Sequence, residues 1–304
     1  MSLVYRYYDL ESLDRQYNAR GTVPDIGPML RDYAERTAAA RGNLPCHLGL
    51  RYGPSEAERL DVFPAAPSAA PAPVFVYIHG GYWRLLDAAD SGFMADALTR
   101  AGACVVPLNY GLAPDVSLDE IVRQCRAAIA WIHGHIAEFG GDPARIHVAG
   151  SSAGAHLAAM LIAPSWPAEF GLPDDAVAGA TLISGLYDLA PLPLTHVNAW
   201  LRLDTAGARR NSPIHQLPAR PLPLVFSYAP NETDEFKRQT ETYLAACRAR
   251  GCPCAFVAMP GTNHFDIVLA LAERDSPLTA AALRAMGIAE PAQPADRDGR
   301  PCDM

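Results

Sequence analysis

The apolar run Arg145-Ile146-His147-Val148-Ala149 leads directly into Gly150-Ser151-Ser152-Ala153-Gly154, and Ala155-His156-Leu157-Ala158-Ala159-Met160-Leu161 then reads as helix. A strand that becomes a helix across Gly-x-Ser-x-Gly makes a turn too tight for side chains at its flanks. The glycines stand there, and the central Ser152 is pushed out with its hydroxyl exposed. Few architectures accommodate such a turn, so it constrains the fold more than any other segment.

The remaining segments agree with a parallel sheet covered on both faces. Val74-Phe75-Val76-Tyr77-Ile78 and Cys104-Val105-Val106-Pro107-Leu108 are continuous apolar runs suited to central strands, with Pro107 placing the second near a strand end. His47 to Tyr52, Arg59 to Phe63, Ala178 to Ser184, Leu222 to Tyr228 and Ala255 to Met259 are further strand candidates. Helices fit residues 118–139, 235–250, 265–272 and 278–286, and Gly140-Gly141-Asp142-Pro143 stops the first of them. Alternation of strand and helix predicts an α/β fold with a mostly parallel central sheet flanked by helices. Residues 1–42 form a helical N-terminal segment in this reading. Residues 186–221, with five prolines, break the alternation as a short insertion, a lid candidate over the strand ends where such folds place their sites. One domain is expected over 1–288, with a loose tail over 289–304.

A serine hydroxyl needs a base, a group to orient that base, and donors for the oxyanion that forms. His264 follows the last strand candidate in Pro260-Gly261-Thr262-Asn263-His264-Phe265 and is the expected base. The loop Asn231-Glu232-Thr233-Asp234-Glu235 offers the acid. Glu232 lies nearest the strand end, Asp234 is second, and Asp188 after the strand ending at Ser184 is third. Acidic residues at 234 and 235 also suit a helix start. The order Ser, acid, His is that of α/β hydrolases. His79-Gly80-Gly81-Tyr82-Trp83-Arg84 follows a central strand, and its paired glycines let backbone N–H groups converge. Gly81, Tyr82 and Ala153 are the expected oxyanion donors. His79, Gly80, Trp83 and Ser151 are expected to line the substrate pocket beside them, with Tyr82 and Trp83 offering aromatic surface at its mouth.

Other chemistries find less support. His133-x-His135 and Gly261 to Asp266 lack a third metal ligand at defined spacing, and no Lys follows Gly150 to Gly154 as a phosphate loop requires. No metal or cofactor is expected. The balance of 25 basic against 33 acidic residues, net −8, disfavours nucleic acid or an anionic membrane as partner. Seven cysteines show no disulfide framework and read as reduced, mostly buried thiols. The first residues carry no basic-then-apolar leader and no run approaches a membrane span, so a cytoplasmic protein is expected. The oligomeric state stays open, a homodimer included.

The residues His79-Gly80-Gly81-Tyr82-Trp83, Gly150 to Gly154 and Asn263-His264-Phe265 together resemble the α/β-hydrolase type of kynurenine formamidase (arylformamidase), close to the hormone-sensitive-lipase-like esterases. Those esterases usually carry a third glycine where this chain has Tyr82. Tyr17-Asn18-Ala19-Arg20, Val23-Pro24-Asp25, Ser184 to Leu189 and Glu235-Phe236-Lys237-Arg238-Gln239 extend the likeness over residues 17–271. Ser151 departs from it, standing where many members have His. The resemblance implies an α/β-hydrolase fold and places the catalytic acid on Glu232. It further implies a cofactor-free serine hydrolase that converts N-formyl-L-kynurenine to formate and L-kynurenine. A carboxylesterase for small acyl or aryl esters is the alternative, and a non-catalytic binding protein on the same scaffold is a third.

Overall fold

The structure, a computed structural model, describes residues 2–68 and 70–288; the tail expected from Ala289 lies outside them. In chain order the elements are α1 (Leu10–Gln16), α2 (Gly27–Asn43), β1 (His47–Arg51), β2 (Arg59–Val62), β3 (Ala72–Ile78), α3 (Ala95–Arg100), β4 (Cys104–Leu108) and α4 (Leu118–His135). There follow β5 (Gly141–Ser151), α5 (Ala153–Leu161), β6 (Gly179–Ile183), α6 (Asn198–Leu201), α7 (Thr205–Arg210), β7 (Leu224–Ser227), α8 (Asp234–Ala249), β8 (Cys254–Phe256) and α9 (Pro277–Ala285). The eight strands make one sheet in the order β1-β2-β4-β3-β5-β6-β7-β8. The pairs β1–β2 and β2–β4 are antiparallel; every pairing from β4 through β8 is parallel. This is the α/β fold with a mostly parallel sheet that the alternation predicts.

Strands β3, β4, β6 and β7 are buried along their whole length, as strands covered on both faces must be. The period of two divides β3 between two cores. Val74, Val76 and Ile78 pack with Ile129 of α4 and Leu157 of α5, whereas Phe75 and Tyr77 pack with Leu98 of α3 and Leu278 of α9. Burial of apolar surface on both faces is the main stabilising term, at roughly 25 cal/mol per Å².

Several boundaries depart from expectation. The strand before the elbow is longer than Arg145 to Ala149, because β5 begins at Gly141 once Gly140 has turned the chain through a left-handed conformation (φ 78°). The last strand is shorter. Val257 N–H still donates to Phe226 O at 2.8 Å, but β7 ends at Ser227, and the edge strand then has no neighbour to follow. The segment expected as a helix over 265–272 is a 3₁₀ helix over Ile267–Ala272. The six-residue α3 was not anticipated; it is too short for periodicity to reveal. Among the described residues no helix is long and apolar enough to cross a membrane.

Two outlying segments are tied to the sheet layers by buried polar contacts. Tyr17, just after α1, donates its hydroxyl to Glu235 Oε2 at 3.0 Å and accepts from Gln239 Nε2 at 2.9 Å. Gln239 Oε1 in turn accepts from the backbone N–H of Tyr187 at 2.6 Å and of Asp188 at 2.8 Å. Helix α8 therefore anchors both the N-terminal segment and the start of the 186–221 insertion.

The packing at Gly154 yields a stability prediction. A Cβ there would overlap the carbonyl oxygen of Ile78 and come within 2.7 Å of that of His79, both backbone atoms that cannot rotate away. Gly154→Ala is expected to cost about 3 kcal/mol or more. Urea unfolding of the variant beside wild type measures it, and an unchanged midpoint would contradict this packing.

Candidate active site

Ser152 stands between β5 and α5 with φ 56° and ψ −118°. A non-glycine residue in that region costs of order 1–3 kcal/mol and persists only where its surroundings hold it. Here Ser152 N–H donates to Ile183 O at 2.9 Å, and His156 N–H donates to Ser152 O at 3.1 Å. The flanking glycines are required: a Cβ on Gly150 would overlap the backbone of Gly154 and approach the Ala155 nitrogen to 2.8 Å. The turn thus presses strand and helix together and leaves the Ser152 side chain facing a cavity of about 380 Å³.

The loop after β3 lies against the elbow. A Cβ on Gly80 would sit 2.8 Å from Ser151 O and 3.5 Å from Ser152 Cβ. Gly81, Tyr82 and Trp83 then take φ values of 91°, 51° and 58° in succession. Among the described residues, nothing accepts a hydrogen bond from the N–H groups of Gly81, Tyr82 or Ala153. Free N–H groups beside a serine at a helix start can receive an anion or a developing oxyanion.

His264 reaches the cavity from the loop after β8. That loop is braced locally: Asn263 Oδ1 accepts from Phe265 N–H at 2.9 Å, and Asp266 Oδ1 accepts from Asn263 N–H at 2.6 Å. The imidazole packs edge-on against Phe236 with centroids 4.9 Å apart. Its Nδ1 lies 3.3 Å from Glu232 Oε1, within ion-pair range though poorly aligned as a hydrogen bond. Such contacts tighten when substrate binds. The same Glu232 oxygen accepts from Ala229 N–H at 3.1 Å and from the Ser184 hydroxyl.

The other carboxylates are elsewhere. Asp234 is exposed in the first turn of α8, and Glu235 is buried in an ion pair with Arg238 at 2.7 Å. Asp188 accepts from Ala190 N–H at 3.0 Å.

Of the expected residues, His79, Gly80, Gly81, Tyr82, Ser151, Ser152 and His264 all line the cavity. Glu232 stands behind His264. Trp83 does not line it, which corrects the expectation of aromatic surface there. Its positive φ turns the side chain inward, where it is fully buried and donates Nε1–H to His156 Nδ1 at 3.2 Å. Tyr82 remains on the cavity wall, its hydroxyl bonded to Tyr17 O and its own carbonyl accepting from Trp200 Nε1–H at 3.0 Å.

Sequence reading missed three contributions. Ser184 carries no motif of its own. Ile26, Leu30 and Tyr33 of the N-terminal segment also line the cavity, where apolar spacing hinted only that Leu30 and Tyr33 pack; His196 and Trp200 line it from the insertion read as a lid candidate, though neither residue is singled out by the sequence. Metal-ligating groups show no further cluster: among the described residues no three His, Cys, Asp or Glu side chains converge.

Three histidines support the region from within. His156 must be neutral with its proton on Nε2, because that atom faces the Asn211 carbonyl at 2.7 Å while Nδ1 accepts from Trp83. His79 stacks on Tyr110 with centroids 4.1 Å apart and places Nδ1 3.0 Å from Gly80 O. Burial lowers His79 and His156 to about 4 and His147 to about 3. A folded-state value below the unfolded one means that the unfolded chain binds more protons between the two. Stability is therefore complete above about pH 6.5 and is lost as pH falls toward 4, by roughly 2 kcal/mol per histidine at pH 5. Unfolding free energies measured from pH 7 to 5 should fall steeply; a flat profile would contradict the buried neutral state.

Comparison with known proteins follows the same lines. A family model described as BD-FAE matches residues 60–166. The kynurenine formamidase of Salmo salar is 36% identical over 259 residues, spanning 83% of this chain and 86% of the relative. That of Danio rerio is 33% identical over 256 residues, spanning 83% and 85%. Among solved structures, the thermostable carboxylesterase EstE1 from a metagenomic library superposes with a TM-score of 0.66 at 22% identity, over 92% of this chain and 97% of the other. That likeness concerns the fold, an α/β hydrolase. Identity at the level of the two fish enzymes, sustained over most of both chains, places the protein in the kynurenine formamidase family.

Proposed function

We propose that residues 1–288 act as one α/β-hydrolase domain that cleaves an aryl formamide, N-formyl-L-kynurenine, to formate and L-kynurenine. The observation that carries the mechanism is the strained Ser152 sharing one cavity with His264, whose Nδ1 is backed by Glu232 at 3.3 Å. Ser152 Oγ attacks the formyl carbon while His264 Nε2 takes its proton. Glu232 keeps the other imidazole proton on Nδ1 and stabilises the imidazolium. The N–H groups of Gly81, Tyr82 and Ala153 receive the oxyanion, at about 2.7–4 kcal/mol each in the transition state. The imidazolium then gives its proton to the departing aryl nitrogen as the C–N bond breaks, leaving the formyl group on Ser152. His264 next deprotonates a water that attacks this ester; formate leaves, and Ser152 regains its proton.

Members of the family named kynurenine formamidase support the substrate, and the aromatic wall of Tyr33, Tyr77, Phe93 and Trp200 suits an aryl group. The 186–221 insertion acts as the lid, with His196 and Trp200 its contribution to the cavity.

A substrate panel tests this reading. Wild type should hydrolyse N-formyl-L-kynurenine, and Ser152→Ala should lose on the order of 10⁵–10⁶-fold in kcat. Turnover of p-nitrophenyl esters with no formamide cleavage would instead identify a carboxylesterase. Failure of a fluorophosphonate to label Ser152 would point to a binding protein. Ser184→Ala removes one hydrogen bond to the Glu232 carboxylate and should lower kcat about tenfold with KM retained; unchanged kcat would show that Ser184 does not position the acid.

A further inference from the structure

Three charged residues line the cavity without an ion pair among the described residues: Arg20, Arg84 and Asp90. The other basic candidate, His196, is taken by Asp14 at 2.7 Å. Arg20 is exposed, and Arg84 is laid over the Trp200 ring with Cζ 4.4 Å from its centroid. Asp90 differs from both. It is half-buried on the cavity wall, at the end of a 3₁₀ turn over Ala88–Asp90 that packs against α2. The cavity it lines is rich in aromatic rings. Tyr33 stacks on Phe93 with centroids 5.3 Å apart, and Phe93 meets Tyr77 edge-on at 5.5 Å; all three rings line the same cavity.

A carboxylate on a largely apolar wall is costly unless a cation joins it. Burial, and after it the negative charge of Asp87, raises the Asp90 pKa; a backbone hydrogen bond from Asp87 and the charge of Arg41 oppose this only in part. An ammonium group would relieve both costs at once. It would pair with the carboxylate in a cavity whose aromatic rings also favour cations. Among the described residues no three His, Cys, Asp or Glu side chains converge there to hold a metal ion, and an organic cation is the better-fitting ligand.

We propose that Asp90, with the rings of Tyr33 and Phe93, forms an ammonium subsite that selects aryl formamides or esters carrying a protonated primary amine. This rests on the cavity being the substrate site of a serine hydrolase, as argued above. In the formamidase reading the group it takes is the α-ammonium of the amino-acid tail. The cavity then holds the aryl ring by apolar contact and reads the tail by charge, so neutral aryl substrates of equal size are bound less well.

Two substrate pairs test this, each differing only in the charge of its amine. The first is N-formyl-L-kynurenine against its α-N-acetyl derivative; the second is 4-(2-aminoethyl)phenyl acetate against its N-acetyl derivative. Wild type should prefer the cationic member of each pair it hydrolyses, by about tenfold in kcat/KM, the ratio one charge-assisted contact supplies. Asp90→Asn should remove that preference and Asp90→Lys should reverse it. Equal ratios in wild type and both variants would overturn the subsite. If esters are hydrolysed and formamides are not, the formamidase reading fails, and the ester pair alone still decides the role of Asp90.

Discussion

The backbone of Ser152 is the constraint around which the site is arranged. A positive φ at a serine is unfavourable, and only close packing can hold it. Gly150 and Gly154 permit that packing, since any side chain at either position would meet backbone atoms of the opposing element. The same approach brings the His79-Gly80 backbone against Ser151 and Ser152, so the loop with free N–H groups is set by the elbow that presents the hydroxyl. Strain at one residue and placement of the donors beside it have a common cause in the contact of β3, β5 and α5.

Around this point the polar groups are few and mostly committed. A single oxygen of Glu232 receives the Ser184 hydroxyl and the Ala229 N–H and faces His264. Both side chains are almost fully buried, where charge interactions are strong and unpaired groups costly. Beneath the loop, Trp83, His156 and Asn211 form a chain of hydrogen bonds that holds the turn from below. These contacts fix geometry before substrate arrives, which is how a preorganised site lowers a barrier.

Legibility differed from residue to residue for physical reasons. Ser152 and its glycines are local: the turn's own sterics demand them, so their spacing is visible in one stretch of chain. His264 and the His-Gly-Gly loop were placed by position after strands, because a parallel sheet gathers such loops at one edge. Glu232 was preferred to Asp234 on its distance from the strand end. In the structure helix α8 begins at Asp234 and leaves that side chain in solvent, while Glu232 precedes it and is buried at His264. Trp83 was misplaced because its direction depends on three successive positive φ angles, which neighbouring residue types do not announce. Ser184, Tyr33 and Asp90 carry no motif; they matter through what stands opposite them.

The chain by itself determined the layered architecture, the elbow and the order of the reacting groups, since these follow from hydrophobic periodicity and from sterics acting over a few residues. Tertiary structure alone decided that the Ser184 hydroxyl shares the Glu232 oxygen, which aromatic rings face the cavity, and that a segment near the N-terminus closes one wall. Those outcomes rest on contacts between residues far apart in sequence, whose distances no local pattern encodes.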